Sequence, residues 1–203
     1  MDRAGELEVI RKRIPRIDPA FAPAIRDLAP CTLGVDKPKR TQYQSLVRAV
    51  IAQQVSRAAA RTITGRLQER CGGSITPARV GALSSEQLRS VGLTSAKVRT
   101  ISELTQASRS GEIDFRTFTN RSDEEIVRAL TPLFGIGRWT VEMFLIFHLG
   151  RLDVWPIDDL AVRRGWDRLH GNAATITASA LRPLGDPFAG MRSVVAWYCW
   201  RAS

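Results

Sequence analysis

Lysine, cysteine and histidine are all scarce in this chain of 203 residues, and each scarcity narrows the chemistry open to it. Only four of the 30 basic residues are lysine, and no lysine follows Lys97. The three cysteines and two histidines are scattered, with no CxxC pair and no HxxxH spacing. This pattern argues against a structural zinc site or an iron–sulfur cluster, and it is typical of reduced thiols in a cytoplasmic protein. We therefore expect no cofactor and no metal cluster.

Long apolar runs are also missing. No stretch of about 18 apolar residues occurs, which argues against a membrane span, and the N-terminus has no apolar core of a secretory signal. Arginine, in contrast, is abundant, and 30 basic against 20 acidic residues give a formal net charge of +10. The planar fork of arginine matches phosphate oxygens, so the composition favours a nucleic acid partner, although a GC-rich genome would also replace lysine by arginine. We expect a cytoplasmic monomer that does not contact membranes.

Apolar side chains recur at helical spacing along most of the chain, whereas strand-like alternation is almost absent. The sequence therefore predicts an all-α protein. The segments that begin at Ser84 and Ser122 have capping-box spacing and predict two helix starts. One long helix is predicted from Tyr43 to Arg70, and a basic loop is predicted before it over residues 36–40.

The most informative local pattern is the segment Leu133-Phe-Gly-Ile-Gly137. Two glycines that flank one apolar residue permit a tight turn with positive φ, and Ile136 would anchor that turn in the core. The turn opens a strongly apolar helix predicted from Arg138 to Leu149, so its amides would lie at a helix N-terminus, where phosphate binds. An ordinary turn between two helices would have the same local sequence, so the pattern alone does not decide between these interpretations.

Two adjacent acids, Asp158 and Asp159, stand about 20 residues beyond this turn. Pro156 requires an extended entry, and a helix is predicted to start near Asp158. Acids at a helix start are usually N-caps, which stabilise the first turn. If the turn binds phosphate, one of these carboxylates would lie beside the DNA backbone, and we can also interpret it as a catalytic group.

In combination, these motifs resemble the helix–hairpin–helix superfamily of DNA glycosylases. The segments Leu133–Thr140 and Asp153–Asp159 are similar to its hairpin and to its loop with an aspartate. The segment Ile51–Ser56, the Gly-Ile-Gly-Arg-Trp-Thr form of the hairpin and the C-terminal segment Arg192–Tyr198 resemble the 3-methyladenine DNA glycosylase II branch. The resemblance covers roughly residues 41–200.

The resemblance implies two helical lobes with a DNA-binding cleft between them. Residues 1–40 and 151–203 would form a terminal lobe, and residues 41–150 a central lobe that ends in the helix–hairpin–helix. It further implies an enzyme that flips an alkylated purine, such as 3-methyladenine or 7-methylguanine, out of double-stranded DNA and hydrolyses its N-glycosidic bond. That reaction initiates base excision repair.

The resemblance also implies roles for individual residues. Asp159 matches the catalytic aspartate and Asp158 would cap or support the helix, and the two roles exchange if the register slips by one residue. Trp139 would lie against the flipped base, because an aromatic ring attracts a cationic purine. Gln53 or Gln54 would fill the gap that the flipped base leaves in the duplex, although a solvated helix edge would also place polar residues there.

The hairpin would hold the DNA backbone, with a monovalent cation as a further candidate ligand of its carbonyl oxygens. The residues assigned to this role are Leu133, Gly135, Ile136, Gly137 and Thr140. Met143 and Met191 stand where some relatives have aromatic residues around the base, which implies a more open pocket.

One departure from the superfamily concerns lysine. Bifunctional members have a nucleophilic lysine after the hairpin, whereas this sequence has Trp139 at that place. The resemblance therefore implies a monofunctional glycosylase without lyase activity. Two alternatives stay open from the sequence, namely a non-enzymatic helix–hairpin–helix module that binds damaged DNA and a glycosylase for oxidised or mismatched bases.

Overall fold

The architecture is helical throughout, which confirms the predicted all-α class. The computed structural model describes residues 2–36 and 40–203, and this part of the chain contains helices and no β-strand. Residues 37–39, in the predicted basic loop, lie outside the described residues. No described helix is both long enough and apolar enough to span a membrane.

The described α-helices, numbered in chain order, are α1 (Arg3–Ile17), α2 (Ala22–Asp27), α3 (Gln42–Ala52), α4 (Arg57–Arg70), α5 (Pro77–Gly81), α6 (Ser85–Ser90), α7 (Ser95–Ser110), α8 (Asp123–Leu130), α9 (Arg138–Phe147), α10 (Leu160–His170), α11 (Ala178–Leu184) and α12 (Arg192–Ala202). Short 3₁₀ segments occupy Pro19–Phe21, Phe115–Asn120 and Asp186–Phe188. The described chain divides into two compact units, the first made of residues 2–36 and 145–203 and the second of residues 40–144.

The first unit is organised around an aromatic core. Phe21 is fully buried and packs edge-on against Trp166 and Phe188, with ring centres 5.6 and 5.9 Å away. The ring of His170 stacks on Trp166 at 4.3 Å, and its Nε2 lies 2.7 Å from the carboxylate of Asp18. These contacts fasten the N-terminal segment to α10.

Helices α10 and α12 of the first unit cross with their backbones in contact. A Cβ atom on Gly165 would collide with the carbonyl group of Cys199, so the crossing admits no side chain at this position. The residues Ser193–Cys199 of α12 are all buried. The close crossing therefore fixes the distance between these two helices.

The second unit has an aromatic core of its own. Phe118 lies 5.3 Å from Phe115 and 6.2 Å from Phe144, measured between ring centres. Phe115 also packs edge-on against Tyr43 on α3, at 6.2 Å. The Tyr43 hydroxyl shares a hydrogen bond of 2.6 Å with Thr105 on α7. These contacts hold α3 against α7.

The helix starts predicted from the two capping boxes are confirmed. The hydroxyls of Ser84 and Ser122 accept hydrogen bonds from the amides three residues later, and the side chains of Gln87 and Glu125 accept from the capping residues' own amides. A third capping box at Thr41, not predicted, begins α3. Each box satisfies amides that a helix start otherwise leaves without partners.

The prediction of one continuous helix from Tyr43 to Arg70 is wrong, because the chain forms α3 and α4 with a turn between them. We call residues 53–56 the glutamine turn. Gln54 has a φ of 55°, and it is the one described non-glycine residue with a positive φ. Ser56 then begins α4 by accepting a hydrogen bond from a backbone amide at 3.2 Å. Serine is a strong N-cap, and this local preference interrupts the helix although the apolar spacing continues.

Candidate active site and hairpin

Asp159 lies in the first unit as the N-cap of α10, and only 9% of its surface is exposed. Its Oδ1 accepts a hydrogen bond from the backbone amide of Val162 at 2.9 Å. The same oxygen accepts from the indole Nε1 of Trp200 at 3.0 Å. Donors from two different helices therefore hold the carboxylate in one orientation at the positive end of the α10 dipole.

Asp158 does not have the predicted capping role. Its side chain is exposed, and the cap of α10 is Asp159. The turn after Pro156, closed by a hydrogen bond of 3.1 Å from the Asp159 amide to the Pro156 carbonyl, makes Asp159 the last extended residue before the helix. The residue predicted to be catalytic is therefore also the residue that starts the helix.

Trp200 is a site residue that the sequence did not reveal. It is half-buried, and its ring centre lies 5.2 Å from that of Phe147, at an interplanar angle of 36°. Phe147 is 52% exposed, so this aromatic pair next to the carboxylate of Asp159 is open to solvent. No local spacing connects residues 41 positions apart, so only the fold brings Trp200 to Asp159.

The C-terminal segment that carried the resemblance is mostly core. Trp197 is 9% exposed, and the guanidinium of Arg201 lies 3.6 Å from the centre of its ring. Met191 is 2% exposed and is part of the core of the first unit, and its effect on the pocket stays a prediction. Met143 is half-buried in α9.

The hairpin Leu133–Gly137 lies in the second unit between α8 and α9, and Ile136 is buried as predicted. Gly135 has a φ of +73°, and a Cβ atom there would collide with the Thr100 hydroxyl on α7. The tight turn with positive φ that the two glycines permit is formed at Gly135, whereas Gly137 does not have a positive φ. Both glycines are exposed, and within the described chain their amides donate to no protein acceptor. The hairpin thus presents two N–H groups of the kind that bind phosphate.

Helix α7 also holds Phe134 of the hairpin. The carboxylate of Glu103 accepts a hydrogen bond of 2.8 Å from the Phe134 amide and another of 2.8 Å from Arg99 Nε. Both bonds lower the pKa of Glu103 below its ordinary value, and the bond from the Phe134 amide has the larger effect. The Arg99 guanidinium in turn lies 3.9 Å from the centre of the Phe134 ring. Phe134 is therefore fixed through both its backbone and its ring.

The glutamine turn is bonded directly to the hairpin. The side-chain amide of Gln53 donates to the Gly135 carbonyl at 3.1 Å and to the Thr140 hydroxyl at 2.9 Å. Thr140 is 2% exposed, and its hydroxyl is directed towards Gln53 from the first turn of α9. Its assignment to the DNA-binding hairpin stays a prediction. Gln54 is exposed.

Lys97 holds the other side of the glutamine turn. Its Nζ donates to the carbonyls of Ile51 and Gln53 at 2.8 and 2.7 Å. Lys97 is half-buried, and this burial lowers the pKa of its ammonium group.

Two further predictions for the hairpin region stay predictions. The carbonyls of Leu133 and Gly135 each accept one hydrogen bond, from Ile136 N and Gln53 Nε2, and each keeps a second lone pair that a monovalent cation could use. No group of three or more histidine, cysteine or acidic side chains that could hold a metal ion is found among the described residues. Trp139 is half-buried in the first turn of α9, and its contact with a flipped base stays a prediction.

A helix–hairpin–helix with exposed amides and a separate buried aspartate at a helix start are features of a class of DNA repair proteins. The chain belongs to the HhH-GPD superfamily of base excision DNA repair proteins, whose family model matches residues 47–185. The predicted superfamily is therefore confirmed.

Individual relatives place the chain in the predicted branch of this superfamily. The chain is 36% identical over 168 residues to DNA-3-methyladenine glycosylase 1 of Schizosaccharomyces pombe, covering 81% of this chain and 74% of that protein. The solved structure of S. pombe 3-methyladenine DNA glycosylase (Mag1) in complex with abasic DNA matches with a TM-score of 0.85 and 31% identity, over 95% of each chain. A DNA-3-methyladenine glycosidase from Bacillus halodurans matches with a TM-score of 0.83 and 32% identity, over 95% of this chain and 88% of the other.

Proposed function

We propose that this protein is a monofunctional DNA glycosylase that removes alkylated purines, of the 3-methyladenine and 7-methylguanine type, from duplex DNA and so initiates base excision repair. The observation that carries this proposal is the carboxylate of Asp159, buried at the start of α10 and oriented by Val162 and Trp200. The names of the relatives support the alkylated substrate class.

The proposed reaction needs one carboxylate and one water molecule. Alkylation at N3 or N7 makes the purine cationic, so the base leaves with the electron pair of the C1′–N bond as a neutral molecule. Asp159 stabilises the positive charge that develops on the sugar and accepts a proton from the attacking water. A C1′–O bond replaces the C1′–N bond, and an abasic site remains.

Covalent catalysis by an amine is not part of this proposal. Trp139 stands where bifunctional members have the nucleophilic lysine, and the sequence contains no lysine beyond Lys97. A lyase would need a lysine whose amine forms an imine with the sugar. Borohydride should therefore trap no covalent complex with DNA.

Binding to the DNA backbone is assigned to the hairpin and to the arginine excess. The exposed amides of Gly135 and Gly137 would bind a phosphate, and the net charge of +10 would supply the general attraction to the duplex. Trp139 would stack on the cationic base, at about 0.5–2 kcal/mol for such an interaction. We further propose that the protein acts as a monomer in the cytoplasm.

Gln54, rather than Gln53, is assigned to fill the gap in the duplex. The amide of Gln53 is already bonded to Gly135 and Thr140, whereas Gln54 is exposed at the tip of the glutamine turn. Replacement of Gln54 by alanine should slow excision from duplex DNA and leave excision from single strands unchanged. Equal rates on duplex DNA for this variant and the wild type would contradict the assignment.

The proposed function is tested with the variant Asp159→Asn. Asparagine is as good an N-cap as aspartate, so α10 should stay folded while the negative charge is lost. The release of methylated purines from alkylated duplex DNA should fall by about 100- to 10 000-fold, because catalysis by a positioned carboxylate contributes that much. Asp158→Asn removes an adjacent, exposed carboxylate and should leave release unchanged.

Several outcomes would contradict the proposal. Normal release by the Asp159→Asn variant would remove Asp159 from the mechanism. DNA binding by the wild type without release of any base would indicate a damage-binding module. Preferential release of oxidised bases or of uracil, measured in competition with methylated duplexes, would assign the protein to a different glycosylase class.

A further inference from the structure

One face of α7 supports both the glutamine turn and the hairpin. Lys97, Thr100 and Glu103 are spaced by three residues, so they lie on the same side of the helix. Lys97 donates to the glutamine turn, Thr100 packs against Gly135, and Glu103 accepts from the Phe134 amide. The separation of the two elements within the second unit is therefore set by one rigid helix.

The ammonium group of Lys97 donates its hydrogen bonds to backbone carbonyls. Its ammonium group contacts the carbonyls of Ile51 and Gln53, at the end of α3, where carbonyls lack partners within the helix. A cation at a helix C-terminus is stabilised by the helix dipole. Lys97 thus closes the end of α3 at the point where the chain turns away.

The conformation of the next residue needs this support. Gln54 has a φ of 55°, which is disfavoured for any residue with a Cβ atom, so it persists only where the surroundings hold it. Gln53, which precedes it, is held at two points. Its carbonyl accepts from Lys97, and its side chain donates to Gly135 and Thr140.

We propose that Lys97 is a positioning residue for base flipping, which acts by holding the glutamine turn in the conformation that presents Gln54 to the duplex. The inference rests on the proposed glycosylase function and extends it to a residue that does not touch the reacting atoms. Because Lys97 acts through Gln54, replacing both side chains should slow duplex excision little more than replacing either one.

The test compares Lys97→Met with Lys97→Arg and with the control Lys12→Met. Methionine keeps the length of the side chain without charge or donors, whereas arginine keeps both. Lys12 is an exposed lysine of α1, so its replacement removes the same charge without touching the turn. For each variant we would measure single-turnover excision of 7-methylguanine from a duplex and from a single strand.

Lys97→Met should slow duplex excision by about tenfold or more, because two hydrogen bonds from a charged donor are lost. Excision from the single strand should change by less than about twofold, since no gap has to be filled there. Lys97→Arg should restore most of the duplex rate, and Lys12→Met should match the wild type. In the double variant with Gln54→Ala, the losses should not add.

Amide hydrogen exchange supplies a second readout that does not depend on catalysis. Residues 53–56 should exchange faster in Lys97→Met than in the wild type, while the core of the second unit stays protected. If methionine prevents folding, Lys97→Gln, which keeps a shorter neutral donor, replaces it in the same comparisons.

Equal losses on duplex and single strand, additive losses with Gln54→Ala, or unchanged exchange at residues 53–56 would each overturn the inference. A wild-type protein that releases no methylated base would instead overturn the proposed function, and the exchange experiment would still decide whether Lys97 holds the turn.

Discussion

The hydrogen bond between Trp200 and Asp159 allows the most direct test of how the carboxylate is positioned. Trp200→Phe removes the indole donor, which lies 3.0 Å from Oδ1, and keeps an aromatic ring next to Phe147. A hydrogen bond to a charged group contributes about 1.5–3 kcal/mol. If this contribution acts mainly in the transition state, the excision rate should fall by about 10- to 150-fold.

The assay is single-turnover release of 7-methylguanine from a duplex, with DNA affinity measured in parallel by fluorescence anisotropy. Trp155→Phe is the matched control, because Trp155 is another half-buried tryptophan of the first unit whose indole donates to a backbone carbonyl, that of Leu181 at 3.1 Å. Both variants lose one indole donor. Only Trp200→Phe should lose activity, and neither should change the affinity for undamaged duplex.

Two results would refute this reasoning. A normal rate for Trp200→Phe would show that the Val162 amide alone suffices to orient Asp159. A comparable loss of rate in Trp155→Phe would show that the effect reflects general destabilisation of the first unit, and the melting temperatures of the two variants would then fall together.

Other parts of the molecule give further expectations. Gly135→Ala should lower the free energy of unfolding by about 1–2 kcal/mol because of the positive φ alone. Each kcal/mol lowers the melting temperature by about 2–4 °C, and the variant should also bind DNA more weakly. An unchanged melting temperature and an unchanged DNA affinity would contradict the close packing of Gly135 on Thr100. Glu103→Gln should weaken duplex affinity more than the excision rate of bound DNA, because Glu103 holds the Phe134 amide; a loss confined to the rate would contradict this. Burial raises the pKa of all three cysteine thiols, to about 11 for Cys31. Ellman's reagent at pH 8 should therefore react with these thiols only after the protein unfolds. A fast reaction of the folded protein would contradict their burial.

Local sequence rules predicted much of the helical framework. The capping boxes at Ser84 and Ser122 marked helix starts because the stabilising hydrogen bonds span only three residues. The hairpin was also predictable, since a buried Ile136 between two glycines leaves few conformations open. The same rules failed at the glutamine turn, where the cap at Ser56 competes with continuing apolar periodicity and prevails.

The site depended on contacts that local rules do not describe. Trp200 reaches Asp159 from another helix, and Lys97 reaches Gln53 from 44 residues away. The residues adjacent to Trp200 and to Lys97 in the sequence do not indicate these distant hydrogen-bond partners. Asp158 and Asp159 are equally good N-caps by residue type, so the local pattern does not distinguish them, and the turn after Pro156 makes Asp159 the cap.

Gly165 shows that intolerance to mutation and participation in chemistry are separate properties in this protein. Asp159 is the N-cap of α10 and Trp200 lies on α12, and the spacing of these helices depends on the backbone contact at Gly165. In a selection of random variants for survival under an alkylating agent, codon 165 should therefore be as depleted of substitutions as codon 159. A survey that equates depletion with catalysis would count Gly165 as an active-site residue, although it contributes no side chain.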